Sequence, residues 1–308
     1  KAIEEKESYR WLEGYREACE LAQLTPNTKV VMVADREADI YDIFEEAAEV
    51  EEGKAQWLIR ANHNRALVGN ESREKGKGRK YLKETVEATK PLGNVEFDLP
   101  ARANRAARRV CLTVYASVEM LRPPSRKAGK KLSAQKVSAI IAREEHPPKD
   151  QEPVEWVLLS SIPVRSFNRA TELIRWYAVR WGIEVFFRVL KTGCQIEELQ
   201  FRDFEHLAPC IALYMIIVWR ILFLTFLGRE CPALNCDVVF DEVEWKAAYI
   251  VATRELPPEK PPLLNDIVVM IAKFGGYLAR KNDPPPGPKA IWIGLQRTRD
   301  FALGQIAL

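Results

Sequence analysis

An unbroken apolar run ending in a carboxylate constrains this chain more than any other feature. Lys29-Val30-Val31-Met32-Val33-Ala34 stops at Asp35. Such a run, without polar alternation, suits a strand covered on both faces of a sheet. Residues 38–52 follow with a helical stripe of Ile40, Ile43, Phe44 and Ala47, closed by Gly53. Gln56-Trp57-Leu58-Ile59-Arg60 then reads as a second buried strand. Strand, helix and strand within about thirty residues predict a βαβ unit with a parallel pair. Ahead of it, residues 7–24 form an amphipathic helix whose apolar side carries Tyr9, Trp11, Leu12, Tyr15, Cys19 and Ala22, and Thr25-Pro26-Asn27 ends it.

The texture changes after Arg60. Short alternating stretches at 95–99, 110–118 and 137–142 read as antiparallel strands, separated by basic turns at 73–80, 102–109 and 126–131. This predicts an antiparallel β insertion inside an α/β core. The charge changes with it: residues 1–59 carry a balance of −8, and residues 60–143 carry +13. A basic block of that size favours a polyanionic partner such as nucleic acid.

Residues 155–161 return to buried-strand texture. Helices follow over 166–180 and 183–190, with continuity across Gly182 left open, and a strongly apolar helix covers 207–228. The remainder is helical, broken by Pro257-Pro258 and by the prolines between 284 and 288. No internal repeat is visible. The longest candidate for a membrane span, residues 211–227, is interrupted by Trp219-Arg220 and Thr225, so a buried helix is the expectation. The six cysteines are scattered, and the Cys231 and Cys236 pair has no second pair or nearby His, so reduced thiols rather than a zinc site are expected. The chain opens on Lys1-Ala2-Ile3-Glu4-Glu5, which reads as the middle of a longer sequence.

Two places concentrate possible chemistry. Asp35 stands where a strand ends and a loop begins, the position at which open α/β sheets bind ligands, and a carboxylate there suits a hard cation. The same residue also fits an ordinary helix N-cap. The second place is residues 177–191. At about 100° per residue, Tyr177, Arg180, Glu184, Arg188 and Lys191 would share a sector of roughly 80° on one helix. One acid among bases, in apolar surroundings, suits a site where a carboxylate holds a cation and the bases hold phosphates.

The spacing Tyr177-x2-Arg180-x3-Glu184-x6-Lys191 resembles the Y-R-E-K signature of bacterial cut-and-paste transposases of the insertion-sequence-four family, Tn-five type. Asp35-Arg36-Glu37-Ala38-Asp39-Ile40 is similar to the motif around that family's second catalytic Asp. Lys6-Glu7-Ser8 with Trp11, Gly275-Gly276-Tyr277-Leu278, and Ala290-Ile291-Trp292-Ile293-Gly294-Leu295 resemble further family segments, the last two from its C-terminal dimerisation region.

The resemblance implies an α/β fold: a ribonuclease-H-like core, with a mixed sheet and helices, interrupted by an antiparallel β insertion subdomain and followed by an all-helical C-terminal region. The corresponding parts are 1–60 and 155–228 for the core, 61–154 for the insertion and 229–308 for dimerisation. It implies metal-dependent cleavage and strand transfer, with Asp35 as the second acid and Glu184 as the third. Two magnesium ions are implied, with manganese able to substitute. Tyr177, Arg180, Lys191 and Arg60 would contact DNA, Trp156 would stack on a flipped base, and Trp181 and Trp292 would lie near it. Double-stranded DNA, both transposon ends and target, and a second copy in a synaptic homodimer are the implied partners, in a bacterial cytoplasm at the nucleoid. The family's first catalytic Asp lies on an earlier strand with no counterpart by motif here, so an incomplete catalytic site is expected. A non-catalytic copy that binds DNA or full-length transposase as an inhibitor is the alternative. Another ribonuclease-H-like nuclease is a third reading, and it needs a further acid on a suitable strand.

Overall fold

The computed structural model describes residues 3–49, 54–69, 80–99, 108–124, 132–149 and 151–306. They form two compact units, Lys1–Arg180 and Trp181–Leu308.

The first unit is a six-stranded sheet between helices. Its strands are β1 (Val31–Ala34), β2 (Gln56–Arg60), β3 (Gly93–Leu99), β4 (Arg108–Leu121), β5 (Gln135–Arg143) and β6 (Glu155–Ser160), in the order β1-β2-β6-β5-β4-β3. β1 and β2 are parallel, Ala34 opposite Ile59, and the other neighbours are antiparallel. The antiparallel strands β3 to β5 therefore continue the sheet that contains the βαβ pair, with Ser138 of β5 opposite Ser160 of β6.

Alternation along each strand sends neighbours to opposite layers. Trp57, Ile59 and Leu159 pack with α1 (Tyr9–Leu24), α2 (Tyr41–Glu49) and α3 (Leu82–Glu87) on one face. Leu58, Leu158 and Ile140 pack with α4 (Phe167–Val179) on the other. Ser166 starts α4 by accepting the amide of Arg169 at 3.3 Å. The short α3 was not expected in a stretch that reads as β sequence. The helix expected from 38 starts at Tyr41, because Arg36–Ala38 forms a tighter 3-10 turn first. β1 has both faces covered, as its composition suggests, yet Val31, Met32 and Val33 are only half-buried. The reason is position: β1 is the edge of the described sheet.

The second unit is helical: α5 (Gly182–Arg188), α6 (Phe204–Glu230), α7 (Glu242–Thr253), α8 (Leu264–Phe274) and α9 (Pro288–Ile306). Leu190, Val218, Ile221, Trp245, Ile267 and Ile291 belong to its core. Two glycines set the approach of α8 and α9: a Cβ at Gly294 would collide with the Ile271 carbonyl oxygen, and one at Gly275 with that of Ala290. The two C-terminal segments noted in the sequence thus meet each other inside one chain.

The expectation of a buried helix over 211–227 is corrected. α6 is longer, and only 28% of its most apolar stretch is buried. By length and composition alone it could cross a membrane. Val218, Ile221, Leu222 and Leu224 face the core, while Leu213, Ile216, Trp219, Phe223 and Phe226 are exposed. Apolar residues all around a helix do not reveal which side is covered.

Candidate functional site

The register of β1 and β2 brings two predicted site residues to one pole of the sheet. Ala34 lies opposite Ile59, so Asp35 and Arg60 follow on adjacent parallel strands. Asp35 is half-buried, and its Oδ1 accepts the amide of Glu37 at 3.0 Å, capping the 3-10 turn Arg36–Ala38. A carboxylate has more lone pairs than one cap uses. Capping and cation binding are therefore compatible in this residue. Arg60 donates from Nη2 to the Glu155 carbonyl at 3.2 Å, which ties the guanidinium to β6.

Asp39, four residues on, has a different role. It is 4% exposed and accepts the amides of Asn62 at 2.8 Å and His63 at 3.0 Å, together with Nε of Arg65 at 3.0 Å. Arg65 lies over the rings of Tyr41 and Phe44, 5.9 and 5.2 Å from their centroids. The turn after β1 is thereby fastened to the loop after β2. A buried carboxylate is tolerable only when paired and hydrogen-bonded in this way.

Next to this pole is a recess of about 240 Å³ whose lining includes Arg36, Asn62, His63, Asn64, Lys83 and Glu155. Lys83 pairs with Glu155 at 2.7 Å, and Arg143 pairs with Glu87 at 3.2 Å. The Asn64 amide donates to both oxygens of Glu84 at 2.9 Å, and this bond is the main reason the Glu84 carboxyl is held below its usual range. Of these residues the sequence reading had only Arg36, within the motif that starts at Asp35; for Lys83 and Arg143 its only signal was the positive balance after residue 60. Half of that block's cations, ten of twenty, lie in segments outside the described residues, as do the basic turns at 73–80, 102–109 and 126–131 apart from Lys80, Arg108 and Arg109. Arg108 is paired with Glu144, and Arg109 with Glu96.

Trp156 is half-buried on β6, with edge contacts to Phe97 at 5.5 Å and Tyr177 at 5.6 Å between centroids. Tyr177 is 5% exposed and belongs to the core beneath α4. Arg180 lies over the Tyr177 ring, 5.8 Å from its centroid.

The single-helix stripe expected over 177–191 is corrected. α4 stops at Val179, α5 starts at Gly182, and Val189–Gly193 is a π-helical turn in which the amide of Cys194 reaches the Val189 carbonyl at 2.9 Å. Gly182 is a poor helix former, and a π turn changes the angular advance per residue. Tyr177 and Arg180 belong to the first unit; Trp181, Glu184, Arg188 and Lys191 belong to the second. Within the second unit, Trp181 is 43% exposed and Glu184 is exposed in the first turn of α5. Lys191 pairs with Glu197 at 2.9 Å on the π turn. Trp292 donates its indole N–H to the Gly193 carbonyl at 3.1 Å, so it braces the turn that carries Lys191.

Accessible carboxylates at Asp35 and Glu184 are the hard oxygen donors that magnesium prefers. Among the described residues, no group of three His, Cys, Asp or Glu side chains is arranged to hold a metal ion. The donor type fits a divalent cation; a complete ligand set is not assembled by these residues. The cysteines are free thiols.

Comparison with known families gives two matches. Residues 216–306 match the Transposase Tn5 dimerisation domain. Residues 13–219, about two thirds of the chain, match the Transposase DDE domain. The mixed sheet with flanking helices and the helical C-terminal region agree with the ribonuclease-H-like fold of that family. The chain belongs to the DDE transposase family.

Proposed function

We propose that the chain is a cut-and-paste DNA transposase of the insertion-sequence-four family, Tn-five type, and that its chemistry is metal-dependent phosphodiester cleavage and strand transfer. The observation that carries this reading is Asp35 at the tip of β1, beside the strand end that bears Arg60, inside the matched DDE domain. Asp35 and Glu184 are the metal-holding carboxylates, and magnesium is the ion, in keeping with the general divalent-metal dependence of the family. A divalent cation bound by these carboxylates would supply Lewis-acid chemistry for hydroxyl attack on a phosphodiester. The remaining work falls to this chain's own side chains. Tyr177, Arg180 and Lys191 contact phosphates of the transposon end, and Arg60 is a further DNA contact. Trp156 presents its ring to an unstacked base while Tyr177 and Phe97 hold its edges. Trp292 acts through the π turn that carries Lys191, and Trp181 offers an exposed ring next to Glu184. The polar recess lined by Arg36, His63 and Lys83 receives the backbone next to the cleaved bond.

The partners are double-stranded transposon-end and target DNA and a second copy of the chain in the synaptic complex, at the nucleoid of a bacterial cytoplasm. In this reading residues 1–60 and 155–228 serve catalysis, 61–154 contribute the basic insertion, and 229–308 serve dimerisation. The test is a nicking and strand-transfer assay on transposon-end DNA with and without magnesium. Asp35→Asn and Glu184→Gln should each lower the rate at least about 100-fold, the scale of several kcal/mol supplied by a correctly held ion. Cleavage that survives both changes would overturn the assignment.

A second reading is a non-catalytic copy of the family. The chain would then bind DNA or an active transposase without cutting. Titrating it into an active family member separates the two: an inhibitor lowers that enzyme's rate in proportion to its concentration, and a catalyst does not.

A further inference from the structure

At the end of the parallel strands away from Asp35, the first unit carries an open cleft of about 1270 Å³. Lys29 stands just before β1, Lys54 and Gln56 around the start of β2, and Arg169 in the first turn of α4, and all four line the cleft. Six residues of extended chain separate Lys29 from Asp35, about 20 Å, so one phosphate group cannot serve both places.

The polar groups of this cleft suit an anion. Lys29 is exposed, and no ion pair among the described residues involves it. Lys54 spends one of its three N–H donors on the Ala47 carbonyl, at 2.9 Å. Arg169 pairs with Glu172 through Nη1, and its guanidinium has further donors. Gln56 accepts the Ser161 hydroxyl at Oε1, at 2.8 Å, so its NH2 group, which only donates, is the end that can meet a ligand. Three cations and an amide donor thus converge from separate segments, and no carboxylate lines the cleft among the described residues. Such convergence suits phosphate.

Size and lining then choose among carriers of phosphate. The cleft is larger than the roughly 300–1,000 Å³ of small-molecule sites, and it is open. No aromatic ring lines it among the described residues, so nothing there offers a stacking surface to an unpaired base. A duplex keeps its bases stacked inside and presents regularly spaced phosphates.

We propose that this cleft is a second, non-catalytic contact for double-stranded DNA, which it holds by backbone phosphates without regard to sequence. The inference rests on the reading that the chain acts on DNA, and adds a contact remote from the chemistry.

Fluorescence anisotropy with a short duplex of arbitrary sequence, the whole chain and no metal tests this apart from cleavage. The parent should bind, with log affinity falling linearly against log salt between about 50 and 200 mM. Lys29→Gln should flatten that slope by about 1, and the triple variant Lys29→Gln, Lys54→Gln, Arg169→Gln by about 3. Each lost contact should weaken binding about 10-fold at about 0.1 M salt, equally on unrelated sequences. Lys29→Gln changes an exposed side chain and serves if the triple variant misfolds. Nicking of transposon-end DNA at saturating enzyme should keep the parent's rate in both. Parent affinity and slope in both variants overturn the proposal, as does a parent that binds no duplex. Tripolyphosphate that binds the parent tightly in equilibrium dialysis, and not the triple variant, also overturns it, because the cleft would then take a small polyanion. A chain that binds duplex through these three residues and never nicks supports the proposal and removes the catalytic reading.

Discussion

The two units bury different kinds of group. The first encloses charge: Asp39 and Glu144 are 4% and 5% exposed, paired with Arg65 and Arg108. The buried polar residues described in the second are Thr225 and Thr298, and each hydroxyl is spent on a carbonyl of its own helix. Buried charge pairs fix which segment meets which, because any other arrangement strands a charge in low dielectric. A helix that bonds its hydroxyls internally gives no such instruction. Its neighbours must be chosen by shape, and here two glycines provide it. The first unit is specified by polar pairing at the pole that carries Asp35, the second by how closely its helices can approach.

That contrast can be broken at its most demanding point. Gly294→Leu places a side chain where the Ile271 carbonyl oxygen already lies. Relief requires α9 to move off α8, with a loss upwards of about 4 kcal/mol, in the exceptional range for one substitution. Helical circular dichroism should fall and proteolysis should begin in residues 181–308. The Trp57 indole, stacked on Phe44 at 4.7 Å, should keep its native fluorescence. A variant as stable as the parent would refute the claim that shape specifies this unit.

The corresponding break in the first unit is Asp39→Ala, which leaves the Arg65 guanidinium uncompensated. The expected loss is about 3–5 kcal/mol. Replacing both partners with apolar residues, Asp39→Leu with Arg65→Met, should restore most of that stability. It should not restore the loop, because the amides of Asn62 and His63 lose their acceptor. Hydrogen exchange at those two amides should stay fast in the double variant. Slow exchange there would mean that the pairing does not specify the loop.

A smaller effect sharpens the second unit. Trp292→Phe keeps a ring in place and removes the N–H that reaches the Gly193 carbonyl, a loss of about 1 kcal/mol. Amide exchange in residues 189–193 should quicken while the rest of α9 is unchanged. Equal exchange in the two proteins would show that packing alone holds the turn.

Legibility from sequence follows the same division. β1, β2 and the helix between them were readable because continuous apolar strands and a one-sided helical stripe each have one plausible burial. α4, expected over 166–180, was placed within a residue at each end. α6 was not readable in the respect that matters, since a helix apolar on all sides carries no marker of its covered face. The segment 177–191 was not readable as α4, α5 and a π turn, because the arithmetic assumed one uninterrupted helix. Gly182 hinted at a break, but no rule from one sequence announces a π turn. At the candidate site, Asp35 was visible from its place after a strand. The function of Asp39 was not, because two carboxylates four residues apart look alike until partners as remote as Arg65 are placed. Lys83 and His63 were hidden for the same reason, since their shared recess joins a loop and a helix that sequence alone does not bring together.

The smallest expected change in stability belongs to the residue with the largest expected chemical role. Asp35 caps a 3-10 turn through Oδ1, and Asn caps about as well as Asp. Asp35→Asn should therefore stay within about 0.5 kcal/mol of the parent, while Asp35→Ala should cost about 1 kcal/mol. Were capping its whole purpose, the Asn variant would be indistinguishable from the parent in every assay. A carboxylate that also holds a cation predicts otherwise, because a neutral amide keeps the hydrogen bond and loses the charge. Magnesium should raise the melting temperature of the parent and have less effect on the Asn variant, a difference that can be read without any DNA. Identical magnesium dependence in the two proteins would leave Asp35 as a turn residue like any other, with the chemistry of this pole to be sought among the side chains around the recess.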